Sequence, residues 1–368
     1  MKIIKNFWIK LFWINCRLIL PKKYFDVIFI TEFLKSKELK KLNFVQIVWC
    51  FTHGFLPGEY LWYDLAKNDY RNYVPALKDY QKRFLNRNFN SVMGNKILFE
   101  QHIKTAINGI EKIRVVESIG YIDKGYLFPL KKNIILGEYT SLIPYLKKSD
   151  LILKPIFGNK GKGVLLLKKV DDYYEINNKK VSWDELLSIF KNFHNYLIQE
   201  KLMQIGFSNE INPASVNTVR IATMIDPDTQ QSFIAYATHR FGSLHSGFVD
   251  NGSQGGIAAN VDTKTGTLGE ALWITPKGDK ETFKLHPMSL KPIHNEHIPN
   301  WENLSNCVIE MANRMPYFKY VGWDIIFSND EVFVLEGNTP PGLPLAQLFK
   351  PMNEYIEAWK FFKYYNYV

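Results

Sequence analysis

Cysteine is almost absent. Cys16, Cys50 and Cys307 are spread over 368 residues. They build neither a disulfide framework nor a metal knot, so a reducing compartment, the cytoplasm, is the expected setting. No apolar run reaches the roughly 20 residues that span a bilayer, and no secretory leader with a small-residue cleavage site is expected. Ser253 sits in DNGSQGG rather than in a GxSxG elbow, with no ordered triad around it, which argues against a serine hydrolase. His239 and His245 have no metal-ligand spacing with a further donor, and His286 reads as a surface histidine in a loop. No internal repeat is present, and no RRM, KH or OB signature accompanies the aromatic positions Tyr60, Trp62, Tyr63, Tyr70, Tyr73 and Tyr80. Nucleic acid is therefore not an expected partner. Acid is in deficit: 36 Asp+Glu against 46 Lys+Arg leave a net +10 at pH 7. Such a balance favours an anionic partner, be it a nucleotide, an anionic glycan or a membrane surface.

Apolar residues make up 46% of the chain, enough for two or three domains with real cores. Residues 1–34 mix Trp8, Leu11, Phe12 and Ile19 with Lys2, Lys5, Lys10 and Arg17, and Pro21 breaks the stretch. Two readings stand: a helix docked on its own core, or peripheral contact with the inner face of a membrane. The most informative stretch is LILKPIFGNKGKGVLLL, residues 151–167. It reads as strand, loop, strand. Gly158, Gly161 and Gly163 stand around Lys160 and Lys162, and Lys154 lies at the end of the first strand. Glycines let backbone N–H groups approach an anion, and lysines add mobile positive charge. The loop is no Walker motif or dinucleotide fingerprint, because a strand pattern rather than a helix follows Gly163. A flexible hairpin with solvated lysines is the alternative.

Further signals follow in order. Lys96 opens a helical segment ending at Ile107, and Ile113–Val116 reads as a strand. Ser182 and Glu185 have capping-box spacing ahead of a helix over 183–191. A strand from Tyr196 ends in Gln199, Glu200, Lys201 and Leu202, whose backbone suits the edge of a purine, with Glu200 near its amino group. Arg220 lies within an apolar strand and Arg240 ends the next one. A buried arginine needs a carboxylate or phosphate. Asp250 and Asn251 order a loop in which Gly255 and Gly256 permit backbone approach to an anion. Trp301–Met315 reads as a helix. Strands over 320–327 and 332–335 then carry Asp324, Glu336 and Asn338. Glu336 and Asn338 share a face by the two-residue period. Asp324 joins that face if residue 328 pairs with 332 around a three-residue turn; a two-residue turn sends it to the other face. Such oxygens suit Mg²⁺, the alternative being structural acids neutralised by arginine or lysine.

In order and spacing, Lys96, LKPIFGNKGKG, QEKL at 199–202, NTVR at 217–220, GWDI around Asp324 and LEGNTPPG at 335–342 resemble the ATP-grasp superfamily, in its sugar-transfer-associated, carboxylate–amine ligase-like branch. The resemblance covers about residues 90–345. It implies an α/β (α+β) fold in which two lobes with antiparallel sheets clasp ATP, preceded by a largely helical N-terminal region. The expected division is 1–85, helical; 86–203, a segment preceding the ATP-grasp unit together with the small lobe and its glycine-rich loop; and 204–368, the large lobe with the metal site. It implies that Lys96 and Lys154 contact nucleotide phosphates, that 158–163 cover them, that 199–202 hold adenine, and that Asp324, Glu336 and Asn338 bind one or two Mg²⁺ ions. Lys154, Arg220 and Arg240 become the catalytic cations. Asn217, Arg220, Arg240, Asn251, Gly255 and Gly256 become the acceptor wall. Position 324 carries Asp where many relatives use Glu. The implied reaction joins a carboxylated glycan or sugar derivative to an amine through an acyl phosphate. A sugar phosphotransferase, and a basic membrane- or nucleic-acid-binding module without catalysis, are the alternatives.

Overall fold

The structure is a computed structural model that describes residues 21–82, 85–158, 161–244, 246, 250, 252, 255–328 and 330–368. The basic stretch 1–20, Lys160, His245, Asn251 and Ser253 lie outside the described residues. The chain begins as a helical annex. The helix Phe44–His53 starts with a capping box in which Asn43 and Gln46 exchange 2.9 Å hydrogen bonds, and it stops at Gly54, whose φ of +76° suits a residue without a Cβ. The next helix, Pro57–Trp62, has proline in its first turn, where no N–H is missed. Of the aromatic residues of this region, Tyr63 and Tyr73 are buried and stacked with centroids 4.9 Å apart.

Glu59 holds the annex together. It is buried, and its Oε2 accepts from the backbone N–H groups of Leu56 (2.9 Å) and Ala76 (3.2 Å). Burial pushes its carboxyl up to about 8. The sign follows from proton counting. Above its ordinary value the unfolded chain gives up this proton while the folded chain keeps it, so stability falls with rising pH up to about 8. Glu59→Gln keeps a carbonyl oxygen for both N–H groups and should flatten the fall in melting temperature between about pH 5 and 8. A slope equal to that of the wild type would refute the assignment.

Strand β1 (Ile113–Val115) is followed by β2 (Ser118–Asp123), β3 (Tyr126–Pro129), β4 (Leu151–Pro155), β5 (Leu165–Val170), β6 (Tyr173–Ile176), β7 (Lys179–Val181) and β8 (Tyr196–Glu200). The remaining strands are β9 (Val219–Ile225), β10 (Ser232–Phe241), β11 (Ile257–Val261), β12 (Leu268–Ile274), β13 (Lys280–Phe283), β14 (Tyr320–Ser328) and β15 (Glu331–Asn338). They form two sheets, in the orders β3-β2-β8-β4-β5-β6-β7 and β1-β15-β14-β9-β10-β11-β12-β13. Every pairing is antiparallel except that of β1 with β15. The small sheet packs on the helix Trp183–Lys191 through Leu186 and Phe190. That helix opens on the expected box, Glu185 N–H to Ser182 Oγ at 3.2 Å and Ser182 N–H to Glu185 Oε2 at 2.7 Å. One face of the large sheet buries Val219, Ile221, Trp323 and Ile325 against the helices Lys96–Ala106 and Trp301–Asn313. The helix Lys96–Ala106 packs on the core of the large sheet, and β1 joins that sheet beside β15.

Candidate functional site

The cleft is lined from both sheets. Lys96, Lys154, Gly158, Gly161, Lys162 and residues 199–202 border it on one side, and Arg240, Asp324 and Glu336 on the other. The glycine hairpin thus faces the β14–β15 hairpin. The cleft is amphipathic. Val116, Ile152, Val164, Leu166, Leu202, Met203, Ile326 and Leu335 give it apolar walls. Its lysines, arginine and acids lie at polar positions along the same space.

Lys154 is 7% exposed and ends β4. Among the described residues its ammonium has no hydrogen-bond or ion-pair partner. Burial, then the charge of Lys96, push it down to about 8. Lys96 is capped into its helix by Asn95 and donates from Nζ to the Gly158 carbonyl at 3.0 Å; burial lowers it too. Two under-compensated ammoniums beside a glycine loop are suited to a polyanion. Gly163 stands in the left-handed region at φ +74°, and a Cβ there would meet the Pro155 ring at 3.0 Å and the Tyr196 hydroxyl at 3.1 Å. It shapes the hairpin without lining the cleft.

Where β8 ends, the side chains bordering the cleft are held by protein partners. Gln199 donates to the Val116 carbonyl (2.9 Å) and Ser118 Oγ (3.1 Å). Glu200 accepts from Ser149 at 3.3 Å and pairs with Lys148 at 3.5 Å. Lys201 pairs with Asp150 through its backbone N–H (2.8 Å) and its ammonium (3.4 Å). The backbone of Leu202 has no partner among the described residues and borders the apolar part of the cleft.

On the large sheet, the register sets the charges in a row. Asp324 pairs with Arg220 on β9 and with Glu336 on β15. The way this register arises corrects the sequence expectation. Ser328 pairs with Glu331, so the turn has two residues, which alone would place Asp324 opposite Leu335. A bulge between Asp324 and Ile325 skips Leu335 and restores the Asp324–Glu336 pair. Arg220 grips Asp324 with two 2.7 Å hydrogen bonds. Arg240 reaches the same carboxylate at 3.0 Å and lies 3.6 Å from Asp250. Burial works against the Asp324 carboxylate, but Arg220 and then Arg240 outweigh it and hold the group well below the usual range. Glu336 shifts the other way, raised by burial and then by the adjacent Asp324. Asn338 donates to Glu336 Oε1 and to the Gly322 carbonyl, each at 3.4 Å.

This donor set fits a hard divalent cation. Glu336 is a half-buried acid raised by burial and by Asp324, and Asn338 adds an amide. Among the described residues no three acidic, histidine or cysteine side chains converge, so a cation here would rest on these few oxygens plus those of its ligand. Asp324, by contrast, already has both oxygens engaged by arginine.

The expected acceptor wall is redrawn. Asn217 is fully buried, with its amide donating to the Asn212 (2.7 Å), Ser208 (3.0 Å) and Ser215 (3.1 Å) carbonyls and its oxygen accepting from Ser215 Oγ (2.9 Å). It knots the turn before β9 and does not reach the cleft. Gly255 is buried, its carbonyl accepting from Ser243 at 2.7 Å, and Gly256 is buried on the way into β11. Ser215, Val216, Thr218 and Asp250 line the cleft there. The reach of Asp250 was missed. Its Oδ2 accepts from the Thr218 N–H at 2.7 Å and from the Thr218 hydroxyl. The signal was Arg240, a second arginine ending an apolar strand and needing its own acid. His286 is buried rather than at the surface, bonded to the Gly242 carbonyl at 2.8 Å. His239 is buried and bonded to Ser208 Oγ at 2.8 Å, a structural part.

The chain is 24% identical over 242 residues to a probable tubulin polyglutamylase, ttll-9, of Caenorhabditis elegans, covering 63% of this chain and 54% of that protein. It thus spans about half the length of the curated relative it matches. Among solved structures it is similar to an ADP complex of N5-carboxyaminoimidazole ribonucleotide synthetase (10% identity, 68% of this chain, 46% of that one, TM-score 0.38). It is also similar to D-alanine–D-alanine ligase from Helicobacter pylori (11% identity, 73% and 57%, TM-score 0.35). Residues 76–353, more than half of the chain, match the family described as sugar-transfer associated ATP-grasp, and the chain belongs to that family.

Proposed function

We propose that this protein is an ATP- and Mg²⁺-dependent carboxylate–amine ligase that acts through an acyl phosphate on a carboxylated glycan or sugar derivative. The observation that carries the reading is the buried Lys154, without a partner among the described residues, facing the Asp324–Glu336 pair across one cleft. The base of ATP lies in the apolar slot against the Leu202 backbone, and its phosphates lie under the hairpin between Lys96 and Lys154. Glu336 and Asn338 hold the Mg²⁺, with Asp324 beside them. When bound, the ion neutralises charge on the phosphate oxygens and orients them. The chain's own part is alignment and charge. Lys154, already desolvated, needs no reorganisation to meet a developing negative charge. Arg220 and Arg240, fixed by Asp324, present their remaining N–H groups to the acceptor carboxylate and the transferred phosphoryl group. Thr218 and Asp250 form the wall on that side. A carboxylate oxygen attacks the γ-phosphorus and ADP leaves. The amine then attacks the acyl carbon, phosphate departs and the ammonium proton is lost, giving an amide. The sugar part of the reading rests on the family's description as sugar-transfer associated.

The test incubates the full chain with ATP, Mg²⁺, a glycan extract rich in uronic acids and a mixture of amines, and follows products by mass. A condensation product retaining both components, with ADP formed in step, is expected. Phosphate added to one acceptor without condensation would identify a phosphotransferase instead. Condensation of peptides with glycans left inert would overturn the sugar assignment alone.

A further inference from the structure

The first 43 residues hold ten Lys and Arg against three Asp and Glu, so most of the chain's net +10 is concentrated there. Within the described part of this segment, the helices Pro21–Lys35 and Phe44–His53 lie against each other, the Phe51 ring 6.0 Å from Phe29 and 5.4 Å from Phe33. Their inner faces are ordinary core, with Phe29, Phe33 and Cys50 buried. Their outer faces are apolar as well. Phe44 is 79% and Val45 74% exposed, and Val48, Phe51, Ile30 and Leu34 are exposed beside them. Residues 44, 48 and 51 follow helical spacing, so they form one stripe. The short turn Lys37–Lys41 links the two helices, and Lys35, Lys37 and Lys40 are exposed around it.

Large apolar side chains standing together in water are disfavoured unless something covers them. Charge points to what does. We infer that this face is an interfacial membrane anchor: Phe44, Val45, Val48 and Leu34 enter the headgroup region of an anionic bilayer while the lysines pair with lipid phosphates. Among the described residues no helix is long and apolar enough to cross a membrane, so the contact is peripheral. Stable anchoring of this kind takes two weak signals. The exposed Lys35, Lys37 and Lys40 supply the electrostatic one beside the apolar face.

Flotation of the full chain on vesicles tests this. The vesicles are phosphatidylcholine alone, or phosphatidylcholine with about one third phosphatidylglycerol, at low salt and at roughly 0.5 M salt. Wild type should float with the anionic vesicles at low salt and be largely released from the neutral ones. Phe44→Ser with Val48→Ser should lower the bound-to-free ratio at least about tenfold. Melting temperature, ATP binding and sedimentation should stay unchanged, because both side chains are exposed. Ile30→Ser with Leu34→Ser provides an independent pair and should act in the same direction. Unchanged flotation in both pairs overturns the inference, including the case where only deletion of residues 1–20 releases the protein. A wild-type dimer that the substitutions dissociate, with flotation unaffected, would assign the face to a second copy of the chain.

Discussion

Lys154→Met should raise the melting temperature and at the same time lower ATP affinity by about 10–100-fold, the worth of one charge-assisted contact. The two effects share one cause. Lys154 is 7% exposed, and its ammonium is without a partner among the described residues and pushed down to about 8 by burial and Lys96. An ion in that state costs the folded protein about 1–3 kcal/mol, which the methionine recovers while keeping the packing of the stem. In the wild type the unfolded chain still holds this proton between pH 8 and 10.5, where the folded chain has released it, so stability rises with pH in that window. Lys82, fully buried and also lowered to about 8 by burial, contributes a similar rise. The variant should therefore lose the part of the wild-type rise that Lys154 contributes. Thermal melts across pH, with nucleotide titration at pH 7, read out both effects. A variant that is destabilised yet binds ATP normally would make Lys154 a structural residue.

The neighbouring carboxylates should separate in the opposite way. Asp324→Asn removes the charge held between Arg220 and Arg240, leaving the part-buried Arg220 without its acid and the buried Arg240 with Asp250 alone. Breaking a buried pair from one side costs about 3–5 kcal/mol, so this variant should melt far below wild type. The group is depressed in the fold, hence its contribution is present above the ordinary carboxylate value and lost as pH falls through the lower folded value. The variant should lack that part of the acid denaturation. Glu336→Gln keeps the shape and removes a carboxyl that burial and Asp324 already disfavour. Its melting temperature should hold or rise, while Mg²⁺-dependent turnover falls at least about a hundredfold, the loss of a few kcal/mol of charge stabilisation. Equal turnover in a well-folded Glu336→Gln protein would remove Glu336 from the metal site. Equal stability in Asp324→Asn would mean that the arginines find their compensation elsewhere.

What could be read from the sequence was local chemistry and its order. The strand–glycine–strand pattern of 151–167, the capping box at Ser182 and the succession of motifs from Lys96 to Gly342 each depend on near neighbours, and the fold and family agree with them. What could not be read depends on distant segments. The bulge at Leu335 is set by pairing with β14 and decides which face Asp324 takes. Asn217 looks like a polar strand-end residue until the turn at 204–215 closes over it. Glu200 and Arg220 carry charges suited to a ligand, and only the tertiary structure shows Ser149, Lys148 and Asp324 already meeting them. Asp250 stood in a glycine-rich loop whose composition pointed to the backbone rather than to its acid.

Activation of a carboxylate as an acyl phosphate, as proposed for this cleft, dictates the fate of one oxygen atom. With ¹⁸O exchanged into the carboxylates of the acceptor extract, and with ATP, Mg²⁺ and the amine mixture present, each turnover should transfer one labelled oxygen into the released inorganic phosphate. Phosphate that leaves without label while ADP and product accumulate, or label retained in a stable phosphorylated acceptor, would contradict it.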